Sequence, residues 1–192
     1  MRLSLKIMFN RKPLKLGLST WALGVGISAF IPVPLMARAE VYLSDEQAAQ
    51  LVFPGQKFVR KEITLTDEQV SQIEKASGET VRNKKLTALV TPSKDALLVD
   101  QVLGKHEFIT LATGIAADGS IRGVEILEYR ESYGSQVRNA DWRKQFVGKG
   151  KTAALKLNND IRNISGATLS SAHVSAGVRR LLHTYDIARS SL

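Results

Sequence analysis

The chain has no cysteine among its 192 residues. That one absence excludes disulfides, zinc–thiolate sites, iron–sulfur clusters and c-type haem attachment. A serine-hydrolase reading fails too. No G-x-S-x-G stretch occurs, and no nucleophile–base pair suggests itself. The three histidines, His106, His173 and His183, lack close metal-ligand spacing; the last two lie ten apart, so a shared helix face gives no chelate. "GKGKT" (Gly148–Thr152) ends like a phosphate-binding loop, but Gln145 stands where the first glycine of that pattern belongs. A solvated basic loop is the simpler reading.

Acidic residues are missing from the first 39 positions, which hold six basic ones. The formal net charge of +9 points toward nucleic acid, but the distribution argues against it. Those six removed from 27 leave 21 basic against 18 acidic residues, a net +3. The basicity belongs mostly to a leader, and no nucleic-acid partner is expected. A basic segment precedes an apolar run from Leu16 to about Ile31, about 16 residues where a span needs roughly 20. Ala37-Arg38-Ala39 fits a small-x-small cleavage site. The expectation is a cleavable signal peptide over 1–39 and a periplasmic or exported protein. The alternative is an uncleaved leader acting as a membrane anchor. "NRKPLKLGL" resembles a twin-arginine signal, with Lys12 in the second arginine's place.

Apolar residues make up 44% of the chain, enough for a real core. "LSDEQAAQLVFPG" predicts a short helix capped by Ser44 and stopped at Pro54. "LTDEQVSQIEKASG" repeats that grammar, with Thr66 as cap and Gly78 as terminator. Residues 40–84 are therefore read as a helical N-terminal segment. From Lys85 the period changes. "KLTALVTP" is a strand candidate. "DALLVDQVLGK" suits a strand or a short helix and is assigned as strand. Phe108–Ala116 and Ile121–Tyr129 pair across an "ADGS" hairpin turn, Gly119 being able to take φ > 0. "NADWRKQFVGKG" predicts a short helix with Trp142 and Phe146 on one face and Gly148 as its break. The last helix places Val174, Val178, Leu181, Leu182 and Tyr185 on one side and Ser175, Arg179 and His183 elsewhere. Gly177 interrupts it, which implies close packing there. The fold class is α+β, an antiparallel sheet with flanking helices.

Two stretches carry candidate chemistry. "EYRESYGSQVRNADW" is polar where a strand ends, so Glu131, Ser132, Tyr133 and Gly134 could form a functional loop or a plain glycine-punctuated one. "NISGATLSSAHVSAGVRRLL" opens the last helix. Thr168 sits just ahead of or within the first turn, where unpaired N–H groups and the helix dipole favour an anion such as phosphate. Ser165, Gly166 and Ala167 are small enough to let another molecule approach the backbone. An N-cap role for a hydroxyl explains the same residues, and physical reasoning alone does not name a ligand.

"SGATLSS" followed by a helix resembles the flavinylation motif of the FMN-binding domain family. That family includes subunits of the sodium-pumping NADH:quinone oxidoreductase and the Rnf complex, and small exported flavoproteins. Its pattern, approximately D-x-x-[ST]-G-A-T, carries FMN esterified through phosphate to the final threonine. The resemblance makes Thr168 the attachment residue, with Ser165, Gly166 and Ala167 as the recognition sequence and Ser170 beside them. "ESYGSQVRNADWRKQFVGK" resembles the family's E-T-P-G-L-G loop and the short helix after it; Tyr133 replaces proline and Gln136 replaces glycine. The resemblance covers roughly residues 97 to 185 and extends the domain reading to 85–192. Arg162 stands where the pattern has aspartate, and Asp160, two residues earlier, is the candidate substitute.

The resemblance implies an electron carrier rather than an enzyme with its own substrate. A separate Mg2+-dependent flavin transferase would load the flavin, and a membrane or periplasmic redox protein would be the working partner. Glu131, Ser132, Tyr133 and Gly134 would line the ring or phosphate, and Tyr133 could stack on the flavin. The rival expectation is a noncovalent FMN-binding or regulatory module with no redox reaction of its own.

Overall fold

A computed structural model describes residues 40–192; the expected signal peptide and its cleavage site lie outside the described residues. Two short helices open that span. The first, α1 (Asp45–Val52), begins at Ser44, whose side chain accepts from Gln47 N (3.2 Å) while Ser44 N donates to Gln47 Oε1 (2.8 Å). The second, α2 (Asp67–Ser77), begins with the same reciprocal pair, Thr66 and Gln69, and ends at Gly78 in the left-handed region. Each capping box satisfies N–H groups that a helix start leaves without partners.

Six antiparallel strands form one sheet in the order β1-β6-β5-β4-β3-β2. They are β1 (Glu40–Val41), β2 (Val59–Thr64), β3 (Lys85–Val90), β4 (Ala96–Leu103), β5 (Phe108–Ile115) and β6 (Ile121–Tyr129). The four central strands follow the predicted meander, and Gly119 takes φ +86° in the β5–β6 turn. Residues 40–84 also supply both edge strands. β2 pairs along its length with β3, and β1 pairs with the end of β6.

The strands alternate between two cores. Ala96, Leu98, Ile109, Leu111 and Ile126 face the larger one, and Leu97, Ala112 and Leu127 face the smaller. α1 covers the smaller face through Ala48 and Ala49. The long α4 (Thr168–Ala188) and Ile73 of α2 cover the larger. Burying each of Val174, Val178, Leu181 and Tyr185 on α4 contributes roughly 1.5–3 kcal/mol. Gly177 is the close-packing point: a Cβ there would lie 2.6 Å from Val102 Cγ1 and 3.2 Å from Leu111 Cδ2.

One placement on α4 is corrected. Ser175, placed off the apolar stripe, is buried at 2% exposure. Its hydroxyl donates to Ser171 O (2.7 Å), so the polar group is satisfied without water. The buried face is wider than the apolar stripe because α2 flanks the sheet beside α4. Arg180, also buried, donates to the Asp100 carboxylate (2.6 Å) and to the carbonyls of Gln101 and Thr80. Arg179 donates to Ser77 O and Leu155 O and pairs with Glu79. Together they lock α4 to the end of α2 and to β4.

The stretch after β6 is a 3-10 turn (Ser135–Arg138), a one-turn α3 (Ala140–Arg143) and a second 3-10 turn (Lys144–Phe146). Trp142 and Phe146 meet edge to face at 5.3 Å, as their four-residue spacing predicts. Trp142 Nε1 donates to Arg162 O (2.7 Å), and Gln145 Oε1 accepts from Arg162 N (2.8 Å). The chain leading into α4 is therefore held on both sides of Arg162. No helix of the described residues is long and apolar enough to cross a membrane.

Candidate functional site

Three segments meet at one end of the sheet: the β4–β5 turn (104–107), the β6 exit (130–134) and the start of α4. Tyr129, the last residue of β6, joins two of them. Its hydroxyl donates to Tyr133 O and lies 2.9 Å from Ser170 Oγ. Gly134 passes beneath at φ +90°, where a Cβ would sit 2.7 Å from the Tyr129 hydroxyl. Only glycine meets both demands. Ser170 is 6% exposed, so the loop docks directly on the first turn of α4.

Glu131 joins the third segment. Its Oε1 accepts from His106 N (2.6 Å) and Glu107 N (3.0 Å). Burial acts to raise the carboxyl's pKa, but donation from the Glu107, His106 and Lys105 N–H groups outweighs it and holds the pKa below the usual value. Gly104 leaves the room: a Cβ there would lie 2.5 Å from Glu131 Oε1.

The start of α4 differs from those of α1 and α2. Its N-cap is Ala167, and no side chain caps it. The first N–H groups, those of Thr168, Leu169 and Ser170, are therefore open to a ligand or solvent. Thr168 is the first helical residue, and its Oγ1 accepts from Asn163 Nδ2 (3.0 Å). The N-cap reading of this hydroxyl does not hold.

A cleft of about 590 Å³ lies between the three segments. From the α4 side Gly166, Ala167, Thr168 and Ser170 line it, with Leu169, which sequence reasoning missed. The loop contributes Glu131, Ser132, Tyr133 and Gly134, together with Arg130. The β4–β5 turn supplies Lys105, His106 and Glu107, also missed. Ser165 is exposed in the turn before Gly166 and does not line the cleft. Tyr133 is 85% exposed and Leu169 51%, so the cleft carries two uncovered apolar side chains. Lys105, Arg130 and the open helix start are its anion-binding elements. Arg130 is already paired with Glu128 (2.8 Å). The donor set and volume fit a molecule with an anionic head and a flat apolar body.

Neither remaining candidate lines the cleft. Asp160 accepts from Leu155 N (3.0 Å) and Lys156 N (2.9 Å) and pairs with Lys149 (3.6 Å), closing its own loop. Its carboxylate is taken up by that loop and is not part of the cleft. The 148–152 loop lines a separate cavity of about 480 Å³. There Gly148 N donates to Ile121 O and Lys151 pairs with Asp186 (2.9 Å), so the loop is occupied structurally.

Residues 104–183 match the model of the FMN-binding domain family. Over 87 residues the chain is 31% identical to one component of the Na(+)-translocating ferredoxin:NAD(+) oxidoreductase complex of Acetobacterium woodii, covering 41% of this chain and 42% of that protein. The chain thus spans less than half the length of this curated relative.

Proposed function

We infer that this chain, whose residues 104–183 are an FMN-binding domain, is an exported electron-transfer flavoprotein that carries FMN through a phosphoester to Thr168. The observation that supports the tether is the position of Thr168: a hydroxyl on the first residue of a helix with no side-chain cap, exposed in a cleft of flavin-accommodating volume. Open N–H groups and Lys105 would hold the phosphate, and Leu169 and Tyr133 offer apolar surface to the ring. When bound, the isoalloxazine supplies the electron chemistry, and the protein supplies orientation and electrostatics.

Loading would be the work of another enzyme; the Glu131 carboxylate that lines the cleft is taken up by the 106 and 107 N–H groups. A Mg2+-dependent flavin transferase would present FAD, and the Thr168 hydroxyl would attack its pyrophosphate. The Oγ1–P bond forms, the bond to AMP breaks, and the hydroxyl proton passes to the transferase. The working partner would be a membrane or periplasmic redox protein. This reading draws on the relative's membership of a ferredoxin:NAD(+) oxidoreductase complex. Export rests on the basic, apolar and small-x-small order of residues 1–39. A tether suits that location, since it keeps local cofactor concentration high where replacement is difficult.

Co-expression with a flavin transferase and intact-mass measurement test the reading. The expected result is a mass increase of one FMN less one water in wild type, and none in Thr168→Ala. An unmodified wild-type mass overturns the tether. Flavin that co-purifies but is released by denaturant would make the site noncovalent.

A further inference from the structure

α4 carries five serine and threonine hydroxyls: Thr168, Ser170, Ser171, Ser175 and Thr184. Three fold back on their own helix. Ser171 donates to Ala167 O (2.6 Å), Ser175 to Ser171 O (2.7 Å) and Thr184 to Arg180 O (2.9 Å). Ser170 is joined to Tyr129. Thr168 is the exception: its oxygen accepts a bond, from Asn163 Nδ2 at 3.0 Å.

The Asn163 amide is itself oriented by its neighbours. Its Oδ1 accepts from Ile164 N (2.8 Å), with Ser171 Oγ 3.5 Å away. An N–H faces that oxygen, so the amide must present its NH2 group to Thr168. Asn163 itself does not line the cleft.

We propose that Asn163 is a positioning residue for the modification of Thr168: it holds Oγ1 in one rotamer with a lone pair and the proton directed toward the cleft. This rests on the flavin-transfer reading above. A hydroxyl oxygen has two lone pairs and one proton. Asn163 takes one lone pair; the other is left for phosphorus and the proton for the transferase's base. As the proton leaves, the amide N–H also faces the growing negative charge on Oγ1. Asn163 touches neither FAD nor phosphate in this scheme and acts only through Thr168.

The test is a purified flavinylation assay with FAD, Mg2+ and a flavin transferase, followed over a range of chain concentrations. Asn163→Asp retains an acceptor for Ile164 N but cannot donate to Thr168, so it separates donation from scaffolding. Asn163→Ala removes both. Both variants are expected to lower kcat by about fivefold or more, the scale of one lost hydrogen bond, with KM within about twofold. A purely structural role would instead lower the melting temperature or raise KM. In the unlabelled chain, the Thr168 methyl scalar coupling should report one rotamer in wild type and an average in Asn163→Ala. A wild-type kcat in Asn163→Asp, or an unaveraged coupling in Asn163→Ala, overturns the inference while the tether stands. If wild type itself takes no label, the tether fails and the inference fails with it.

Discussion

α1 and α2 close their N-termini, and α4 does not. Ser44 and Thr66 occupy the N-cap position, each matched by a glutamine three residues on. At α4 the cap position holds Ala167, and the hydroxyl has moved one residue further along. That shift converts a hydroxyl serving its own backbone into one facing outward. It also forgoes about 1 kcal/mol of capping. The two short helices, of 8 and 11 residues, have modest buried faces to hold them. α4 runs for 21 residues and buries a broad face against β4, β5 and α2, so packing secures it without a cap. A helix start can remain open for ligand chemistry where the rest of the helix is anchored.

The sharpest way to break this comparison is Thr168→Ala. It is expected to abolish covalent flavin completely, by intact mass, while leaving folding stability within about 0.5 kcal/mol of wild type. A large loss of stability would mean that the hydroxyl is a cap after all. Next in size is Gly134→Ala, which places a methyl group against the Tyr129 hydroxyl at a positive φ. Denaturant unfolding should show a loss of about 3 kcal/mol; a neutral result would mean the loop is not docked on α4. Thr66→Ala provides the converse of Thr168→Ala. It should cost about 1 kcal/mol in thermal unfolding and leave flavin loading unchanged.

The smallest effect is pH-dependent. Glu131 is held below its ordinary pKa in the folded chain, so its contribution is present above the unfolded value and is lost as pH falls through the folded one. Glu131→Gln should cost about 1 kcal/mol near neutrality. The gap to wild type should close as pH falls below about 4.3, the ordinary glutamate pKa. A gap that widens on acidification would mean that backbone donation does not govern this carboxyl.

Local chemistry was readable from the chain itself. The caps at Ser44 and Thr66, the "ADGS" turn, the four central strands and the apolar stripe of α4 were visible because each depends on near neighbours. What escaped depended on distant ones. β2 reads "VRKEIT", with only Ile63 buried, because an edge strand can be charged along most of its length. Its hydrophobic pattern was too weak to separate it from the helices around it. Spacing predicts one short helix over 139–150; the stretch is instead an α-turn continued by a 3-10 turn, a difference of hydrogen-bond register that spacing does not reveal. At the cleft, the α4 start and the 131–134 loop were readable from their motifs. Lys105, His106 and Glu107 were not, since an ordinary charged turn becomes a wall only when the β4–β5 connection reaches the same end of the sheet as α4. Asn163 was hidden for a related reason. Its role depends on a side-chain bond across five residues, and nothing in its type announces that.

The meeting of Gly104 and Glu131 has an evolutionary consequence. A side chain at position 104 would occupy the space of the Glu131 carboxylate, and a shorter residue at position 131 would leave the 106 and 107 N–H groups without their acceptor. Neither position can change freely alone. Across related chains the two should covary, glycine with glutamate and bulkier residues with shorter ones, although 27 positions separate them.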